Sequence, residues 1–68
     1  MNKLSWMIRQ ARGKISRAKF APILNVSIAT LVRIENGKIS SKSVKKLANY
    51  FEITITEALK LNEDNEQI

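Results

Sequence analysis

Twelve Lys and Arg residues and six carboxylates carry the ionic chemistry of this 68-residue chain, which has no His and no Cys. The usual metal ligands and the usual neutral-pH proton shuttle are therefore missing, and so is any disulfide or thiolate zinc site. Only the carboxylates remain for acid–base work, and Glu52, Glu57, Glu63, Asp64 and Glu66 all fall in the last 17 residues. Neither an enzyme nor a cofactor is expected. What the cations can do is neutralise a polyanion. Residues 1–51 hold eleven of them against Glu35 alone, a local charge of +10, whereas residues 52–68 sum to −4. Such a body suits nucleic acid first and an anionic membrane surface second.

These charges need a scaffold, and 68 residues make one domain that buries about 60% of its unfolded surface. No apolar run approaches the roughly 20 residues of a membrane span, and no signal-peptide core opens the chain, so a cytoplasmic location is expected. The apolar spacing is helical throughout and predicts an all-α fold of five helices over residues 1–61, with 62–68 as a flexible acidic tail. The first helix runs from Lys3 to Arg12 with Leu4, Met7, Ile8 and Ala11 inward and Gly13 as its stop. The second starts after Ser16 and turns Phe20, Ala21 and Leu24 inward. The third starts after Ser27 and ends at Asn36-Gly37. The fourth follows a cap at Ser40 or Ser41 and buries Val44, Leu47, Ala48 and Phe51. The fifth opens with Thr54-x-x-Glu57, a capping box, and is expected to bury Ile55, Ala58 and Leu59. Ile53-Thr54-Ile55-Thr56 alternates like a strand, but with no second strand to pair it is read as a turn into the fifth helix.

The third helix raises a question of its own. Thr30, Leu31 and Ile34 lie on one side, and Ile28, Ala29 and Val32 on the other, although a surface helix needs a single apolar stripe. Before it stands Leu24-Asn25-Val26-Ser27, in which Asn25 suits a left-handed turn, Val26 plugs the corner and Ser27 caps the next helix. Helix, short turn and helix form the supersecondary unit that DNA-binding proteins use.

The stretch S-x-x-x-F-A-x-x-L-N-V-S-x-x-T-L-x-R-I-E-N-G-K, Ser16 to Lys38, resembles the helix-turn-helix of phage repressor and Cro proteins and their xenobiotic-response-element relatives. The segment V-x-x-L-A-x-x-F-x-I-T-I-T-E-A-L is similar to that family's closing helix pair, so the resemblance covers about residues 7 to 61. It implies a dimeric transcriptional regulator, of phage, prophage or plasmid type, reading a pseudo-palindromic operator in double-stranded DNA. The implied base-reading residues are Ser27, Ile28, Ala29, Val32 and Arg33. The implied phosphate contacts are Ser16, Arg17, Asn36, Lys38, Ser41, Lys42 and Ser43. Ile53 and Ile55 are the implied dimer contacts. The second apolar face then reads as a surface for thymine methyl groups, with Arg33 suited to guanine. The competing explanation is that the first helix or the chain ends bury Ile28 and Val32.

Several positions depart from the family pattern. Ile28, Ala29 and Val32 stand where polar residues are usual, and the link from Arg12 to Ser16 is about two residues short. Pro22 falls in mid-helix, where a kink or a late helix start is expected. The resemblance implies that an Arg of the first helix pairs with Glu35, and both Arg9 and Arg12 are candidates. Trp6 points away from the first helix's apolar stripe and is expected to pack on Leu61 or Ile68, with a dimer contact as the alternative. At 68 residues no ligand-sensing domain is expected, and hence no small-molecule ligand. The second functional reading is an antitoxin- or antirepressor-type module whose apolar patch meets a protein; the third is a membrane-surface protein.

Overall fold

A computed structural model describes residues 2–63 and folds them into five helices. These are α1 Lys3–Arg12, α2 Arg17–Leu24, α3 Ile28–Glu35, α4 Ser41–Phe51 and α5 Ile55–Glu63. Each expected helix is present. α5 takes in Asn62 and Glu63, two residues expected in the acidic tail; the rest of that tail lies outside the described residues.

Local capping explains the starts. Ser16, Ser27 and Ser40 accept hydrogen bonds from the backbone N–H groups of Lys19, Thr30 and Ser43 respectively. At α5 the capping box closes both ways, Thr54 N–H donating to Glu57 Oε1 at 3.0 Å and Glu57 N–H to Thr54 Oγ1 at 3.0 Å. The Ile53–Thr56 segment is therefore a turn and a helix start. Asn2 caps α1, its Oδ1 accepting from Leu4 and Ser5, while its Nδ2 donates to Asn62 O and Oδ1 at 2.8 and 2.7 Å. One side chain thereby starts the first helix and holds the last.

Pro22 causes neither the expected late start nor an end to α2. The helix begins at Arg17 and runs through it to Leu24. Phe20, Ala21 and Leu24 around it are buried while Pro22 is exposed, and that packing offsets the one helical N–H that proline cannot supply.

The core is one cluster drawn from every helix, including Leu4, Ile8, Phe20, Leu31, Ile34, Leu47 and Ala58. α3 lies against α1 and α2, while α5 closes over α4 and α1. Leu31 and Ile34 are wholly buried, and fully burying such side chains contributes about 1.5–3 kcal/mol each. On α5 only Ala58 of the three expected residues is buried. Ile55 and Leu59 are 47% and 41% exposed, because the short helix turns just one row of side chains toward α4 and α1. Phe51 is half-buried. No described helix is long and apolar enough to cross a membrane.

Candidate nucleic-acid interface

The corner between α2 and α3 is built from local chemistry. Asn25 takes the left-handed conformation, φ 61° and ψ 44°, and Val26 N–H reaches back to Ala21 O at 3.1 Å to close the end of α2. Val26 packs half-buried against the core. Ser27 Oγ then accepts from Thr30 N–H and donates to Thr30 Oγ1 at 2.9 Å. Lys46 of α4 donates to the Asn25 carbonyl at 2.6 Å, pinning the turn from outside.

On α3 this corner leaves Leu31, Ile34 and Glu35 buried, and Ser27, Ile28, Ala29, Arg33 and Asn36 exposed. Ile28 is 50% exposed and Val32 half-buried, so neither α1 nor any other described element encloses the second apolar face. Beside it, an open depression of about 540 Å³ between α3 and the start of α4 is lined by Arg33, Lys38, Ser40 and Ser43. A second depression, lined by Ser27, Thr30, Lys42 and Lys46, continues from it toward the α2–α3 corner. Arg33, Lys38, Lys42 and Lys46 thus border one surface together with the outer face of α3. Lys46 was absent from the sequence-derived candidates; its place one helical turn after Lys42 is the signal that could have found it.

Among the implied phosphate contacts, Ser16, Asn36, Lys38, Ser41 and Lys42 are exposed. Ser43 differs. It is 5% exposed, its Oγ lies 3.3 Å from Ser40 Oγ, and the N-cap geometry turns it inward. Arg17 also differs, being tied to Glu35 through Nη2 at 3.0 Å and Nε at 3.2 Å. Of the implied dimer contacts, Ile55 is exposed but Ile53 packs half-buried on the core.

Glu35 is the hub behind this surface. Its side chain is 2% exposed, yet it accepts from Arg12 Nε at 2.6 Å, Arg12 Nη2 at 3.1 Å and Arg17. Arg9 and Ser5 instead donate to its backbone carbonyl, at 3.0 and 2.7 Å. The choice between Arg9 and Arg12 is resolved by division: Arg12 takes the carboxylate and Arg9 the carbonyl. Burial pushes the Glu35 pKa up, but hydrogen bonds and charge from Arg12 and Arg17 outweigh it and hold the carboxyl below its ordinary value.

Trp6 is less enclosed than a ring packed on the C-terminal residues is expected to be. It is 45% exposed and stands over a cleft bordered by Arg9, Glu35, Asn36 and Gly37, at the end of α3. Ile68 lies outside the described residues. Among those residues no group of three or more acidic side chains is arranged to hold a metal ion.

A capped helix, a left-handed Asn turn and a second helix with an exposed outer face, bordered by cations, define a helix-turn-helix unit. A family model described as helix-turn-helix matches residues 7–57, and the chain belongs to that family, the Cro/C1 type, a non-catalytic DNA-binding domain. No curated protein and no solved structure matches the chain.

Proposed function

We propose that this protein is a transcriptional regulator of the phage, prophage or plasmid kind. It binds a pseudo-palindromic operator as a homodimer, in the cytoplasm, with α3 in the major groove. The observation that carries this reading is the outer face of α3. Ile28 and Ala29 stand exposed beside Arg33, with Lys38, Lys42 and Lys46 around them. Apolar side chains there meet thymine methyl groups and Arg33 pairs with guanine O6 and N7, while Lys38, Lys42 and Ser41 engage phosphates that carry no sequence information. Ser16 and the free N–H groups at the start of α2 supply a further phosphate contact. Ile55 and Leu59, one turn apart and exposed on α5, supply the apolar surface for a second copy.

The test is fluorescence anisotropy of the purified protein on duplex DNA from upstream of its own gene, against a shuffled duplex, across a salt series. Specific binding exceeds non-specific binding by about a thousandfold or more. A preference of that size, with half-sites about one helical turn apart, supports an autoregulator. Equal, steeply salt-dependent binding to both duplexes rejects base reading. It favours the second reading, a protein-binding module of antitoxin or antirepressor type, for which the exposed Ile28 face is the motivating observation.

A further inference from the structure

We infer that the cleft between α1 and the end of α3 is an additional seat for the duplex backbone, with Arg9 holding a phosphate and the Trp6 indole lying against the adjoining deoxyribose. The inference rests on the DNA-binding reading above and extends the contact surface onto α1, which that reading leaves unused.

The first observation concerns charge. Arg9, Arg12 and Arg17 converge on Glu35, and both oxygens of its carboxylate are occupied by Arg12 and Arg17. Arg9 has no carboxylate among the described residues. Three guanidinium groups against one carboxylate leave an excess of +2 among the described residues at this corner, a charge that suits an anionic ligand.

The second concerns geometry. Arg9 is anchored through Nε, which donates to Glu35 O at 3.0 Å, and neither Nη1 nor Nη2 donates to any described residue. Anchoring one edge of a planar guanidinium fixes where the other edge lies, so its remaining N–H groups form a preset fork for phosphate oxygens. Arg9 is exposed, and the cleft it borders is open, with a volume of about 190 Å³.

The third concerns Trp6. A large aromatic ring 45% exposed forfeits much of the burial such a ring usually gains, and its indole N–H has no described acceptor. It shares the cleft with Arg9 and Asn36. Asn36 is one of the phosphate contacts implied by the family resemblance, and its own N–H is spent inside α3 on Val32 and Arg33 carbonyls, so only its side-chain amide is left to donate. A strand passing Asn36 therefore enters the cleft that holds Arg9 and Trp6. These neighbours explain an exposed Trp as a surface kept for a sugar and phosphate.

Trp6 is the single Trp of the chain, so its emission reports the cleft directly. The experiment follows Trp emission and labelled-duplex anisotropy in one titration, for the wild type, Arg9→Ala, Arg9→Lys and Trp6→Phe, with inorganic phosphate as a parallel ligand. Expected is a change in Trp emission that saturates together with the anisotropy. Arg9→Ala should weaken all duplexes alike and lower the salt slope by about one. Arg9→Lys should keep that slope while still weakening binding, since its ammonium lacks the anchored fork. Trp6→Phe should keep the slope and bind several-fold more weakly.

Unchanged Trp emission while anisotropy reports binding, or an Arg9→Ala slope equal to that of the wild type, overturns the inference and leaves the DNA-binding reading intact. Emission that responds to inorganic phosphate as strongly as to duplex assigns the cleft to a small free anion and overturns it too. Emission that changes on dilution of the protein alone means a second copy covers Trp6, again against the inference. No duplex binding by anisotropy removes both readings together.

Discussion

Replacing Glu35 with Gln tests the buried hub without any reference to DNA. The carboxylate receives two hydrogen bonds from Arg12, at 2.6 and 3.1 Å, and further ones from Arg17. Hydrogen bonds to charged groups contribute about 1.5–3 kcal/mol and neutral ones about 0.5–1.5, so neutralising the acceptor costs roughly 1 kcal/mol for each strong bond. The amide also turns one acceptor oxygen into a donor facing a guanidinium, which strips one Arg of its partner. Arg17 is 45% exposed and recovers much of its loss by hydration, so its share is discounted. The expected cost of Glu35→Gln is about 2–3 kcal/mol at pH 7, or about 10–20 °C in Tm for a domain of this size. The pH dependence has a definite sign. Because the folded pKa is depressed, the stabilisation is fully present above the ordinary carboxylate pKa of about 4.3 and is lost as pH falls through the folded value. Thermal melts of both proteins by circular dichroism from pH 7 to pH 2 are the assay. The gap should be widest at neutral pH and close in acid. A gap independent of pH, or a variant as stable as the wild type at pH 7, would refute the account of Glu35 as an ionised hub.

Further expectations follow from the surface and the caps. Arg33→Ala should cost about 1–3 kcal/mol on the operator and relax specificity at one base pair, read by competition with single-substitution duplexes. Lys42→Ala should weaken every duplex alike and reduce the slope of log affinity against log salt by about one. Asn2→Ala should lower stability in urea melts by about 1 kcal/mol for the lost cap, and by more for the severed tie to Asn62. Ile55→Asp should lower dimer mass in sedimentation at a given concentration while leaving the helical spectrum unchanged, because the residue is 47% exposed.

The sequence makes some of this architecture legible and hides the rest for physical reasons. Helix starts were readable because a Ser or Thr cap acts on N–H groups two or three residues away. The Ser27 cap, the Asn25 turn and the Thr54–Glu57 box all form as local chemistry requires. The split faces of α3 were readable for the same reason, since helical period alone separates Leu31 and Ile34 from Ile28 and Arg33. Long-range partners were not. Arg17 looked like a solvent-facing phosphate contact, yet its nearest anion stands 18 residues along the chain. Asn2 finds its acceptor 60 residues away. Periodicity likewise assigns Ile55 and Leu59 to an apolar stripe without saying how wide a neighbour covers it. The half-exposure of Trp6 was hidden too, because the docking angle of α1 on its neighbours, invisible in one helix's sequence, decides how much of the ring is covered.

The tie between Asn2 and Asn62 has a consequence for local opening. Fraying at a helix end is ordinarily an independent and inexpensive event, but here the first turn of α1 and the last turn of α5 share one side-chain amide. Releasing Asn62 frees the side chain that caps α1, and unwinding the cap releases α5. The two ends should therefore open as one cooperative unit, with matched protection in native-state hydrogen exchange. A single substitution at position 2 would uncouple them.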